Sequence, residues 1–266
     1  MTTKFIYSGG LIFTGGKRQK MLNNKRTLFF LVLTSMLIVS LVASTFMISA
    51  ASNTKLKYNE DELTKTTFIH YKDGKVRAID SKVVSAVNTC YKLMGVKWST
   101  IPVSYVINPT NPEGLSESFV TSTISTSAET WDSATSKELF NNAFTTDNTV
   151  SYGVYDGKNA IVFGDYPNNN VIAVTSVWYT IVGKRIVEFD IEFNTRFQWG
   201  DASVNPLLMD LQNIATHELG HGVGMADIYT AKCSAVTMYG YASNGETQKR
   251  TLEAQDIKGL QLIYGR

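Results

Sequence analysis

The chain contains few of the residues that bind metal ions or form covalent cross-links. Its 266 residues include three histidines and two cysteines, so at most one intramolecular disulfide can form. The sequence has no internal repeat, no low-complexity segment and no Asn-x-Ser/Thr glycosylation sequence. At this length the chain can form one sizeable core, or two small subdomains that flank a cleft.

Acidic residues are absent from the first 50 positions, which carry six lysines and arginines. Because the whole chain has a formal net charge of +2, the remaining residues carry −4. No basic patch remains in this larger part of the chain. Nucleic acid is therefore excluded as an expected partner.

A long apolar run covers residues 28–51 and follows two basic residues. A basic segment, an apolar segment and small residues at its end are typical of a cleaved secretory signal, for which Met21 is a candidate start. The run is also long enough for an uncleaved transmembrane anchor. We expect residues 1–51 to be a signal peptide or membrane anchor. The rest of the chain is then secreted or, alternatively, anchored with its globular part outside the membrane.

Residues 52–95 are polar and lysine-rich at first and then more apolar, which indicates an N-terminal extension or prosegment. His70 has no partner nearby in the sequence, and we interpret it as incidental. Cys90 and Cys233 are an even pair, which predicts a disulfide in an exported protein. The alternative is two unpaired, buried thiols.

The most informative stretch is residues 217–227, with the sequence His-Glu-Leu-Gly-His-Gly-Val-Gly-Met-Ala-Asp. Positions four apart lie on the same face of a helix, so His217 and His221 can offer two imidazole nitrogens to one metal ion. Glu218 lies beside them and is free to act as a general base. This is the His-Glu-x-x-His arrangement of zinc peptidases.

A catalytic zinc ion takes three protein ligands and keeps one position for water. Glycines at 222 and 224 allow the chain to turn sharply after the helix. The turn predicts that Asp227 returns toward the two histidines as the third ligand. The alternative is that Asp227 is only a loop or capping residue.

Local patterns predict the elements around this motif. Asn205 and Pro206 predict the N-cap and first position of the motif-bearing helix. Ser116 predicts the N-cap of an earlier helix that extends to about Trp131. Alternation and turn residues predict short strands at residues 102–108, 150–155, 160–163, 171–179 and 186–193.

The zinc motif, a methionine shortly after it at Met238 and the helical pattern of residues 252–265 together resemble the metzincin zinc peptidases, and within them the matrixins. The third ligand position holds Asp227 instead of histidine. That variant is similar to the snapalysin-like branch of the clan. The resemblance implies an α+β, zincin-like catalytic domain over residues 96–266. Its fold would be a twisted, mixed five-stranded sheet with an active-site helix and a small C-terminal helical subdomain.

The resemblance also implies roles for individual residues. His217, His221 and Asp227 would hold one catalytic Zn²⁺, with Met238 beneath it. The clan places a switching tyrosine two residues after the methionine. Neither Tyr239 nor Tyr241 stands there, so the role left for both is that of substrate-pocket walls. The strand at residues 171–179 would bind an extended peptide by strand addition. The flanking sequence of the matrixins' latency cysteine is absent around Cys90.

These features predict a secreted, monomeric zinc endopeptidase that cleaves proteins or peptides through a zinc-bound water and Glu218 as general base. Contact with a membrane is expected only if the N-terminal apolar segment stays uncleaved. Asp190, Glu192 and Asn194 are expected to face solvent, and a calcium role for them is possible although their spacing is not that of an EF-hand. The alternative function is a non-proteolytic, zinc-containing surface binding module, against which the intact Glu218 argues.

Overall fold

The structure is a computed structural model that describes residues 62–72 and 89–266. The described residues all lie in one compact unit. The expected signal peptide or membrane anchor lies outside them. Among the helices of the described residues, none is both long and apolar enough to cross a bilayer.

The described residues form three α-helices and ten strands. The helices are α1 (Glu117–Asp132), α2 (Leu211–Gly222) and α3 (Ala254–Tyr264). The long strands are β1 (Leu63–Lys72), β6 (Val171–Thr180) and β7 (Arg185–Asn194). The others are β2 (Lys97–Trp98), β3 (Val106–Ile107), β4 (Thr145–Thr146), β5 (Ala160–Gly164), β8 (Trp199–Gly200), β9 (Met209–Asp210) and β10 (Tyr241–Ala242).

Eight of the strands form one mixed sheet in the order β10-β1-β6-β7-β5-β3-β4, with β2 paired to β7. Strand β6 is antiparallel to both of its neighbours, β1 and β7, whereas the pairs β5–β7, β3–β5 and β1–β10 are parallel. The α+β class, the mixed sheet and the helices are confirmed. The expected count of five strands is too low, because β1 from the N-terminal extension joins the sheet and several added strands have only two residues.

Helix α1 forms as its sequence predicts. Ser116 is its N-cap, and the Ser116 hydroxyl accepts a hydrogen bond from the Phe119 N–H at 3.2 Å. Val120, Ile124, Ala128 and Trp131 recur at helical spacing and are buried. The Trp131 indole N–H donates to the carbonyl oxygen of Thr216 at 2.7 Å, which fixes α1 against α2.

Three predictions about local structure are wrong. Helix α2 begins at Leu211, not at Pro206, because Asp210 caps it by accepting from the Asn213 N–H at 2.8 Å. Residues 150–155 form turns and no strand. Asp190 and Asn194 are fully buried, not solvent-facing.

Strand β7 explains the last of these corrections. It lies between β6 and β5, and its carboxylates accept hydrogen bonds from loop backbone groups. Asp190 accepts from the N–H groups of Gly153 and Ala160 at 2.8 and 3.0 Å. Burial raises the pKa of Asp190 to about 6. The side chain therefore organises the loop before β5.

Candidate metal centre

The three proposed ligands meet at one point. His217 Nε2 lies 3.2 Å from Asp227 Oδ1, and His221 Nε2 lies 3.4 Å from the same oxygen. All three side chains are buried. Ligands about 2.0–2.1 Å from a tetrahedral zinc ion are about 3.4 Å apart, so these separations suit a shared zinc ion.

The hydrogen bonds of the two histidine rings support the same assignment. His217 Nδ1 donates to the carbonyl oxygen of Thr237 at 2.7 Å, and His221 Nδ1 donates to that of Met225 at 3.1 Å. A neutral ring with its proton on Nδ1 presents a lone pair at Nε2. Burial lowers the pKa of His217 to about 4, which favours this neutral ring.

This arrangement of donor atoms needs a bound cation. His217 Nε2 and Asp227 Oδ1 are buried and have no hydrogen-bond partner among the described residues. Two acceptors 3.2 Å apart repel each other unless a positive charge lies between them. The residues present therefore fit zinc.

The turn that carries Asp227 is fixed by the N-terminal part of the domain. Gly224 has a φ of +93°, and a β-carbon there would stand 2.5 Å from the carbonyl oxygen of Val96. The N–H groups of Met94 and Ala226 donate to the carbonyl oxygens of Gly224 and Lys92, both at 2.9 Å. A disulfide joins Cys90 to Cys233, as predicted, and so attaches this segment to the loop before Met238.

Met238 forms the floor of the centre. It is fully buried, and a β-carbon at Gly220 of α2 would overlap its sulfur and the ring of Trp131. Asp256 of α3 accepts hydrogen bonds from the N–H groups of Thr237 and Met238 at 2.8 and 3.2 Å. The helix, the methionine turn and α3 therefore hold one another at close range.

Glu218 lies beside the three donors and is fully buried. Its Oε2 accepts from the Thr175 hydroxyl of β6 at 2.5 Å. Its Oε1 lies 3.0 Å from His70 Nδ1 of β1. Burial raises the pKa of the Glu218 carboxyl above its ordinary value, which is the direction that makes it a stronger base.

The interpretation of His70 as incidental is wrong. The residue is buried, and its ring centroid lies 3.9 Å from that of His217. His70, His217 and Glu218 form a second group whose donor atoms lie within 4.8 Å of one another. Burial lowers the pKa of His70 to about 3, so the neutral ring can donate from Nδ1 to Glu218.

The two proposed pocket tyrosines follow Met238 and border a cavity of about 200 Å³. Their ring centroids are 5.5 Å apart, and Tyr241 belongs to β10. Lys249 also lines this cavity; it is buried and forms an ion pair with Glu246 at 2.5 Å. Tyr239 and Tyr241 border this cavity, and their role as walls of a substrate pocket stays a prediction.

A zinc-binding motif on a helix, a third donor on the turn after it and a methionine floor define a metzincin-type metallopeptidase. Residues 97–265 match the Peptidase_M10 family of matrixins. The chain belongs to the matrixin family. One relative is human matrilysin, which is 39% identical over 77 residues, or 29% of this chain and 27% of matrilysin. The chain thus matches about a quarter of that relative's length.

Proposed function

We propose that the chain is a secreted endopeptidase that hydrolyses peptide bonds in proteins. The observation that carries the proposal is the position of Glu218 beside three buried donor side chains. Two of the facing atoms, His217 Nε2 and Asp227 Oδ1, have no hydrogen-bond partner in the part of the chain that the structure describes. His217, His221 and Asp227 hold the zinc ion. When bound, zinc supplies Lewis-acid polarisation of the scissile carbonyl and lowers the pKa of a coordinated water.

The chain's own groups perform the proton transfers. Glu218 takes a proton from the attacking water and delivers it to the amine nitrogen as the C–N bond breaks. The Thr175 hydroxyl orients Glu218 through Oε2. An extended substrate would pair with β6, whose backbone passes the site at Thr175, and the cavity beside Tyr239 would accept a side chain.

The organisation proposed with this function follows the expected boundaries. Residues 1–51 direct export and residues 52–95 form an N-terminal extension. Residues 96–266 form the catalytic domain, which works as a monomer outside the cell. The exported product would then begin after the apolar segment, which mass spectrometry of its N-terminus tests.

The test of the chemistry is Glu218→Gln, because the amide keeps the shape of the carboxylate but cannot accept the proton. We expect unchanged zinc affinity and a peptidase rate lower by a factor of about 10² to 10⁴. Glu117→Gln, at an exposed position on α1, is the matched control and should retain the parental rate. Parental turnover in Glu218→Gln would remove Glu218 from the mechanism. Zinc binding without chelator-sensitive cleavage, both in the parent and after displacement of strand β1, would favour a non-proteolytic zinc module.

A further inference from the structure

Strand β1 lies on the peptide-binding edge of the proposed active site. It pairs with β6 antiparallel along its whole length, from Leu63 opposite Thr180 to Tyr71 opposite Val171. On its other side, Tyr71 and Lys72 pair with β10, which follows the methionine turn. The strand precedes the matrixin-matched residues 97–265 and bridges both sides of the groove.

The side chains of β1 that face the site cover its reacting groups. Phe68 stacks on His221 with ring centroids 3.9 Å apart and an interplanar angle of 6°. Two residues later, His70 lies over His217 and contacts Glu218. Residues two apart on a strand point to the same face, so Phe68 and His70 lie on one face of β1. With β1 in place, the side chains of His70 and Glu218 are both 0% exposed.

Two requirements of peptide hydrolysis conflict with this arrangement. A substrate strand needs the backbone groups of β6 that β1 already occupies. A general base needs an oxygen available to the attacking water, but both oxygens of Glu218 are engaged, by Thr175 and by His70. Building on the proposed function, we propose that β1 is an intramolecular inhibitor that occupies the substrate groove and engages Glu218 through His70.

The position of each backbone group on β1 allows a matched pair of variants. The Ile181 N–H donates to the carbonyl oxygen of Glu62 at 2.7 Å, and hydrogen-bonded positions alternate along antiparallel strands. The N–H of Thr66 therefore points at β6 and that of Lys65 points away. Thr66→Pro removes a pairing bond, whereas Lys65→Pro is the control that leaves the pairing with β6 intact.

The first readout is binding of a fluorescent peptide hydroxamate to the zinc-loaded full chain, together with hydrogen exchange at β1. The hydroxamate needs the zinc ion and the groove but no turnover. We expect Thr66→Pro to speed exchange at β1 and tighten hydroxamate binding by about tenfold or more, and Lys65→Pro to match the parent. If Thr66→Pro releases β1 without tightening the binding, the proposal is overturned.

The role of His70 has its own pair of variants. His70→Ala removes the group that engages Glu218, whereas His70→Asn keeps a hydrogen-bond donor near the position of Nδ1. We expect tighter hydroxamate binding in His70→Ala and binding close to the parent in His70→Asn, with β1 exchange slow in both. Equal binding by His70→Ala and the parent would contradict the role given to His70.

Peptidase assays on the same proteins separate this proposal from the proposed function. Tight hydroxamate binding by Thr66→Pro without cleavage would support inhibition by β1 and refute the peptidase. Equal cleavage rates in Thr66→Pro and the parent would support the peptidase and refute inhibition. Where both hold, Thr66→Pro cleaves faster than the parent, and adding Glu218→Gln abolishes cleavage.

Discussion

The hydroxyl of Tyr229 donates a hydrogen bond to Asp227 Oδ2 at 2.9 Å, on the carboxylate oxygen opposite the one that faces the histidines. Burial and the neighbouring Asp227 charge raise the pKa of Tyr229, so the hydroxyl remains a donor. The contact orients Asp227 so that Oδ1 faces the metal position. The zinc motif gave no signal for this tyrosine, two residues beyond its end.

Tyr229→Phe should weaken zinc binding by about 10- to 100-fold, the usual effect of losing a hydrogen bond to a metal ligand. Competition with a chromophoric chelator measures this affinity. Tyr239→Phe removes a hydroxyl from the same part of the chain and should bind zinc as the parent does. Equal affinity of Tyr229→Phe and the parent would show that Asp227 needs no such support.

Asp227→Ala should weaken zinc binding far more than Tyr229→Phe does, because the site retains only two protein donors. Asp227→His restores a third donor and should recover part of the lost affinity, provided the imidazole fits the turn at Gly224. The same chelator competition ranks the variants. A ranking with Asp227→Ala equal to the parent would exclude Asp227 as a ligand.

The local part of the site was predictable from sequence, whereas its long-range contacts were not. Helical spacing places His217 and His221 together, and the glycine turn returns Asp227, because both relationships span few residues. His70 and Glu218 are 148 positions apart, and Thr175 and Glu218 are 43 apart. Those contacts depend on which strand pairs with β6, and no short-range pattern specifies that pairing.

The start of α2 was mispredicted for a related reason. Asn205 and Pro206 satisfy the rules for a helix N-terminus, yet the helix begins at Leu211. Arg250, from the segment before α3, forms ion pairs with Asp201 and Asp210 and fixes the chain before the helix. Tertiary contacts therefore outweighed the local signal.

The double variant Cys90→Ser/Cys233→Ser should have a lower free energy of unfolding. The bond closes a loop with a sequence separation of 143, for which the chain-entropy treatment gives up to about 5 kcal/mol. Urea unfolding measures the loss, and the parent in reducing agent should show a similar one. Zinc affinity should change less than stability, because neither sulfur is a ligand. Unchanged stability would mean that the bond contributes nothing.

Asp132 should make stability depend on pH between about 4 and 6. Burial raises its pKa from 3.8 to about 6, and its Oδ2 has no partner among the described residues. The folded state then retains a proton that the unfolded state has released, so the free energy of unfolding falls as pH rises through this range.

Asp132→Asn should remove that fall, which amounts to at most about 3 kcal/mol. The measurement is the difference in unfolding free energy between Asp132→Asn and the parent at each pH. This difference in unfolding free energy should change between about pH 4 and 6 and stay constant above about pH 7. Glu129 and Glu138 raise the Asp132 pKa further and remain in both proteins, so their own titration cancels. A difference independent of pH would contradict the assignment.

The hydrogen bonds between Asp256 and the methionine turn affect the order in which the parts of the site form. Synthesis delivers a chain from its N-terminus, so β1 and the zinc motif are made before residue 256. Until α3 docks, the hydrogen bonds from the N–H groups of Thr237 and Met238 to Asp256 are absent, and they position the segment whose Thr237 carbonyl accepts from His217. Strand β1 is therefore available to cover Glu218 before the metal floor is complete. Under the proposed inhibition by β1, Glu218 of a newly made chain would already be covered when its metal site is completed.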